Sequence, residues 1–303
     1  KSPHGVDQTR YLYVQPKNKI DVLFLGSSHV HCNVNTQLLW DEYGMAAYLM
    51  TGAEQPLWNS YYNLKEALKT QKPKLVVLDM FCPSRFYDDF QPGWADENLD
   101  GMRISLNKLE AVYTSVQEEQ SHFFLGFTEY HSRYDQLTTE DFQNFVWNRK
   151  TQERWKGYTP LNRHAELTEP DMSHVTTSQE MTEKSKEYFE KIVELTKKEG
   201  IALALISGPY LLEESDQEVY NSIGQLAEKD GLLFWNTNTP AHYREMGLDF
   251  STDYADHAHL NEAGGAKYTA YLGKWLSQNY SFPDRRGQKG YESWENQLMK
   301  SGE

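Results

Sequence analysis

Cysteine is scarce in this chain: 303 residues hold only Cys32 and Cys82. Two thiols exclude a disulfide scaffold and any all-cysteine zinc site. Both follow the ends of candidate strands, so a bridge is geometrically open, but two buried, unpaired thiols are the expectation. Long apolar runs are also missing. None approaches the roughly 20 residues of a membrane span, and mean hydropathy is −0.75. Positive charge is outnumbered, with 30 Lys and Arg against 44 Asp and Glu, a formal charge of −14. That surplus of acid repels a phosphate backbone and argues against nucleic acid as a partner. Aromatic residues, by contrast, are abundant: 14% of the chain, including 8 Trp and 20 Tyr. Disordered chains are poor in such residues, so this one is expected to fold. Its length suits one large α/β domain or two small ones.

The first strong strand signal is Ile20-Asp21-Val22-Leu23-Phe24-Leu25, which stops at Gly26. A near-continuous apolar run of that length suits a parallel strand buried on both faces. Val34 to Tyr43 reads as a short helix and Ala46 to Met50 as a second strand. Leu57 to Thr70 reads as a helix with Leu57, Tyr61, Leu64 and Leu68 on one face, and Lys74 to Met80 as a third strand. This β-α-β-α-β rhythm predicts a doubly wound parallel sheet. Between residues 83 and 177 the rhythm breaks into an aromatic insertion with helical stretches at Leu106 to Glu119 and Thr139 to Asn148. Insertions of that length often serve as caps or binding loops. The rhythm then resumes with a helix from Ser178 to Glu199, a strand from Ile201 to Ile206 and a helix from Asp216 to Asp230. A short strand from Leu232 to Trp235 and a helix from Asn261 to Tyr280 complete it. The expected architecture is a three-layer α/β/α sandwich with a flavodoxin-like parallel sheet of about five strands. One domain would span 18–280, with the insertion at 83–177 inside it and a polar extension at 281–303.

Ligands of open parallel sheets bind beyond the carboxyl ends of the strands. Gly26-Ser27-Ser28-His29 places hydroxyls in the turn after the first strand, where backbone N–H groups at a helix start can face an oxyanion. A late loop, Asp253-Tyr254-Ala255-Asp256-His257-Ala258-His259-Leu260-Asn261, offers a carboxylate and an imidazole three residues apart. With the serine they would make a Ser-His-Asp triad. Taken singly, the first motif also reads as an N-cap serine, and the second as a polar loop or a three-residue metal cluster. Their joint presence at opposite ends of one α/β chain is far more specific.

These two blocks resemble those of the SGNH (GDSL-type) hydrolases. Gly26-Ser27-Ser28 matches the family's Gly-Asp-Ser entry with Ser in place of Asp, and Asp256-x-x-His259 followed by a helix matches its last block. The resemblance covers most of residues 18–280. It implies Ser28 as nucleophile, His259 as base and Asp256 as the acid that orients it, with the amides of Ser28 and Gly52 as the oxyanion hole. The family's Gly-x-Asn-Asp block is replaced by Asp79-Met80-Phe81-Cys82-Pro83, which has no asparagine.

That replacement, the Gly-Ser-Ser entry and the insertion resemble a subgroup that works beside membrane-bound O-acyltransferases. Its members include the DltD-type proteins of teichoic-acid D-alanylation and the SGNH-like proteins of exopolysaccharide acetylation. The subgroup implies an acyl-transfer protein at the extracytoplasmic face of a bacterial membrane, held by an N-terminal anchor that would precede Lys1. Its partners would be an acyl donor, a carbohydrate or teichoic-acid-like polymer and a membrane-bound O-acyltransferase. A carbohydrate esterase, or a catalytically silent glycan-binding or scaffold protein, is the alternative. No metal or cofactor is called for. In the insertion, Tyr130, His131 and Arg133 are candidates for substrate binding, since Arg suits bidentate anion recognition. They read equally well as ordinary anchors of a cap. His29 is a further candidate for the pocket wall, with a helix-start role as the plainer reading.

Overall fold

Strand β1 (Val22–Gly26) pairs with β2 (Ala47–Thr51) on one side and β3 (Leu75–Asp79) on the other. Strands β4 (Ala202–Ser207) and β5 (Leu233–Asn236) extend the sheet beyond β3. The order is β2-β1-β3-β4-β5, and every pairing is parallel. This computed structural model describes residues 5–85, 92–117, 120–124 and 155–295. Its sheet is the expected flavodoxin-like arrangement. Strands β1, β2 and β3 are buried at every position, which is why they read as unbroken apolar runs.

Alternate side chains serve the two faces of the sheet. Leu23, Leu25, Val76, Leu78, Leu203 and Leu205 point into one apolar layer, beneath α4 (Leu57–Ala67), α8 (Glu183–Glu199) and α9 (Glu214–Asp230). Val22, Phe24, Leu75, Val77, Ala204 and Ile206 point into the other, beneath α2 (Ser28–Asn33), α3 (Thr36–Tyr43), α10 (Pro240–Met246) and α11 (Glu262–Asn279). The described parts of the insertion include α5 (Phe81–Arg85), α6 (Pro92–Leu99), α7 (Leu106–Ser115) and a 3-10 turn at Gln120–Phe123. The helix expected at Thr139 to Asn148 lies outside the described residues. Among those residues, no helix is long and apolar enough to cross a membrane.

Local chemistry explains where the boundaries shift. The stretch after β1 holds two helices rather than one. Ser27 caps α2, and the Asn35 side chain accepts from the Gln37 and Leu38 amides, so α3 begins at Thr36. Helix α8 begins at Glu183 rather than Ser178, because the Thr182 hydroxyl caps it. Cys32 and Cys82 are both free and buried.

The interior reaches past both ends of the expected 18–280 domain. Helix α1 (Val6–Leu12) buries Val6, Gln8 and Leu12. The segment from 281 carries α12 (Glu292–Glu295) and sinks Tyr291 and Trp294 into the core. Arg285 grips the buried Asp21 through two hydrogen bonds of 2.7 and 2.8 Å. These terminal pieces, together with Lys156 of the insertion, cover the free edge of β2. The Trp294 Nε1–H donates to the Ala47 carbonyl at 3.1 Å, the Leu49 amide donates to the Lys156 carbonyl at 2.9 Å, and the Thr51 amide donates to Gln8 Oε1 at 2.9 Å. An uncovered edge of this kind invites pairing with another chain.

Candidate active site

The sheet order reverses between β1 and β3, so a crevice opens beyond their carboxyl ends. Gly26 closes β1 there with φ +152°, and a Cβ on it would lie 2.5 Å from Asp79 Cβ. Only glycine lets the two strands end so close together. The chain turns at Ser27 and enters α2, whose first residue is Ser28.

Helix α2 holds both halves of the site. At its start it presents Ser28. At its end, Asn33 Oδ1 accepts from the Leu260 amide at 3.1 Å, which ties the late loop to the same helix. Asn261 then caps α11, accepting from the Gly264 amide while its side-chain N–H donates to the Thr252 carbonyl. Sequence reading missed Asn33, because its partner lies 227 residues away.

Held in this way, the loop brings the three proposed residues into one chain of hydrogen bonds. Ser28 Oγ lies 2.7 Å from His259 Nε2, and His259 Nδ1 lies 2.8 Å from Asp256 Oδ1. With the proton on Nδ1, the imidazole donates to the carboxylate and Nε2 is free to accept from the serine. Asp256 Oδ1 also accepts from the Ala258 and His259 amides at 2.9 and 3.0 Å, and its Oδ2 accepts from Arg163 Nη2 at 2.9 Å. Partial burial works to raise this carboxyl. The bond and charge of His259, the Ala258 amide and the Arg163 guanidinium outweigh it and hold Asp256 well below the usual carboxylate range.

Arg163 is two-thirds exposed, with a side-chain accessibility of 67%. An ion pair that wet contributes about 0–1 kcal/mol. Arg163→Ala is therefore expected to change the rate of reaction at Ser28 by less than about tenfold, which steady-state kinetics would measure. A larger loss would mean that Arg163 touches the substrate.

The two amides proposed for the oxyanion hole differ. The Ser28 amide makes no hydrogen bond among the described residues, as befits the first turn of a helix. The Gly52 amide makes a long contact, 3.4 Å, to the Gly26 carbonyl. Asn98 of α6 packs against Gly52 so closely that a Cβ there would lie 2.3 Å from Asn98 Oδ1. The Asn98 side-chain N–H groups are committed to the Ala53 and Trp94 carbonyls at 2.9 and 3.0 Å.

His29 is almost wholly buried. Its ring stacks on Phe81 at 3.5 Å, meets Tyr210 edge-on at 4.9 Å and lies 5.5 Å from the His259 ring. Burial first, and then the neighbouring His259, push its pKa well below the ordinary histidine value. A neutral ring suits a place beside His259, which becomes charged if it accepts a proton. His29 thus forms the wall behind the site rather than its open mouth. His257 is exposed, and its carbonyl accepts from the Leu211 amide. Tyr130, His131 and Arg133 lie outside the described residues. Burial pushes the Cys32 thiol up to about 12 and Cys82 up as well, so neither is poised as a nucleophile. Among the described residues no group of His, Cys, Asp and Glu could hold a metal ion. A cavity of about 350 Å³ lies at the amino ends of β4 and β5, lined by Thr196, Ile201, Leu233 and Tyr280. It opens at the far end of the sheet from Ser28.

No protein-family model matches this chain, and no curated protein matches it. Solved structures do. One is a crystal structure from Bacteroides fragilis NCTC 9343 that carries a provisional acylhydrolase name. It is 14% identical with a TM-score of 0.41, covering 90% of this chain and 94% of that one. Another is an acetyl xylan esterase, 13% identical with a TM-score of 0.41, covering 86% of this chain and all of that one. A likeness at that level transfers no residue role and no substrate, so function has to be read from the site itself.

Proposed function

We propose that this chain is a serine acyl enzyme of the SGNH type, working through Ser28, His259 and Asp256. The observation that carries the reading is the continuous hydrogen-bond chain from Ser28 Oγ through His259 to Asp256, standing at the carboxyl ends of the parallel strands. Ser28 Oγ attacks the acyl carbonyl carbon, and its proton passes to His259 Nε2. Asp256 holds the imidazolium that forms. The tetrahedral oxyanion faces the amides of Ser28 and Gly52. Collapse expels the first alcohol, which takes the proton from His259 and leaves an acyl-Ser28 ester. An incoming hydroxyl then gives its proton to His259 and attacks that ester, and Ser28 leaves with the proton restored.

The incoming hydroxyl sets the finer function. A sugar or polyol hydroxyl makes the protein an acyltransferase for acetyl or D-alanyl groups on a cell-wall or exopolysaccharide polymer. Water makes it a carbohydrate esterase. The transferase reading, the anchor, the extracytoplasmic setting and a membrane-bound O-acyltransferase partner rest on the resemblance of the Gly-Ser-Ser entry and the missing asparagine block. The 2.7 Å approach of Ser28 to His259 favours either enzyme over a silent glycan-binding protein.

A fluorophosphonate probe tests the core of this. It is expected to label the native protein on one peptide, the one that contains Ser28, as read by mass spectrometry. No label, or label confined to other serines, sinks the proposal.

A further inference from the structure

Asp79 ends β3 directly across the switch point from the Ser27–Ser28 turn, and the residue is 3% exposed. The Ser27 hydroxyl donates to Asp79 Oδ2 at 3.2 Å. The same Ser27 Oγ accepts from the His29 amide at 3.3 Å, which is the cap of α2. Asp79 Oδ1 accepts from the Phe81 amide at 3.4 Å. The carboxylate, the Ser27 hydroxyl and the first turn of α2 therefore form one series, and Ser28 is the residue between Ser27 and His29, which that cap ties together. No step of the reaction above uses Asp79.

We propose that Asp79 is a positioning residue for Ser28: it holds the Ser27 hydroxyl in the orientation that caps α2, and so fixes the backbone that presents Ser28 Oγ to His259. The inference rests on the reading of Ser28 as the nucleophile. The chemistry is directional. A carboxylate has no hydrogen to give, so Ser27 must donate to it, which leaves a Ser27 lone pair for the His29 amide. A protonated Asp79 can itself donate to Ser27 Oγ. Ser27 is then no longer obliged to point its hydrogen at Asp79, so its hydroxyl is free to turn and the cap of α2 loosens.

The surroundings bring that exchange into the neutral range. Among the described residues, the titratable groups facing Asp79 are Cys82 from α5 and Tyr268 from α11, both kept neutral by burial. The turn after β1 supplies Ser27, and β4 supplies Ile206, the residue paired with Asp79 in the sheet; neither titrates. Burial pushes the carboxyl up to about 7, against the weaker pull of the bonds from Ser27 and Phe81.

The test is the second-order rate of fluorophosphonate labelling at Ser28 between about pH 5 and 9, in wild type, Asp79→Asn, Asp79→Ala and Ser27→Ala. Asp79→Asn does not titrate and, like the protonated acid, offers Ser27 both an acceptor and a donor at every pH. It is expected to label within about tenfold of wild type at pH 8 and to fall less steeply as the pH drops. Asp79→Ala and Ser27→Ala remove the anchor and are expected to label on the order of 100-fold more slowly at every pH.

Melting curves over the same range report on the fold. The folded protein holds a proton on Asp79 that the unfolded chain has released, so the Asp79 contribution to wild-type stability declines as pH rises from about 4 to 7. Asp79→Asn escapes that decline, and its advantage over wild type should widen across that interval. An Asp79→Asn labelling profile that overlays wild type through the acid limb overturns the inference, as does Ser27→Ala labelling within about threefold of wild type. The Ser27 variant decides alone if the Asp79 variants do not fold. Absence of wild-type labelling at any pH overturns the acyl-enzyme reading and this inference together.

Discussion

Ser28→Ala is expected to lower the rate of ester cleavage, measured on p-nitrophenyl acetate, by roughly 10⁴- to 10⁶-fold while the circular dichroism spectrum stays unchanged. The size of the effect follows from the geometry. With Ser28 Oγ 2.7 Å from His259 Nε2, the serine gives up its proton as it attacks, and no described side chain stands ready to replace it. His259→Ala should cost about as much, since a serine without its base is only a poor alcohol. The double variant Ser28→Ala, His259→Ala should lose little more than either single one, because the two act as a unit. Asp256→Ala should cost less, about 10⁴-fold, by freeing the imidazole to take the wrong tautomer. A Ser28→Ala protein that retains activity within about tenfold of wild type would remove Ser28 from the mechanism.

The residues that would do this chemistry were legible because their signals are local. Gly26-Ser27-Ser28 follows an apolar strand at once, and Asp256 and His259 are spaced within one loop ahead of a helix. The sheet was legible for a similar reason: buried parallel strands read as apolar runs, and helices of seventeen and eighteen residues such as Glu183–Glu199 and Glu262–Asn279 carry enough periodicity to be seen. What escaped depends on partners far along the chain. Asn33 looks like any polar residue at a helix end until Leu260 is set beside it. Asp79 looks like the end of a strand, and its bond to Ser27 spans 52 residues. Short helices escaped as well. Val6–Leu12 and Pro240–Met246 span seven residues each, about two turns, too few for a periodic pattern to declare itself.

The carboxyl-terminal segment shows the same limit and gives the largest expected effect on stability. By composition, residues 281–303 are polar and rich in glycine and charge, so a loose extension is the natural reading. Two rings within the segment decide otherwise, and composition averages them away. Trp294 is fully buried, with its ring 6.3 Å from that of Trp40 and 5.8 Å from that of Tyr291. The Lys156 ammonium sits 4.1 Å above it. Trp294→Ala should therefore destabilise the protein by about 3–5 kcal/mol, the usual cost of truncating a buried tryptophan. In a chain of this size that lowers the melting temperature by on the order of 10 °C. Trp294→Phe should lose much less, because it keeps a ring under Lys156 and gives up chiefly the Nε1–H bond to Ala47, a net contribution of about 1 kcal/mol. Calorimetry on the three proteins separates the terms. A Trp294→Ala melting temperature within about 2 °C of wild type would mean that the segment does not dock. The expected fall would show that the Ala47 end of the β2 edge is closed by this segment, and the alanine variant, with that part of the edge opened, should then aggregate more readily on heating.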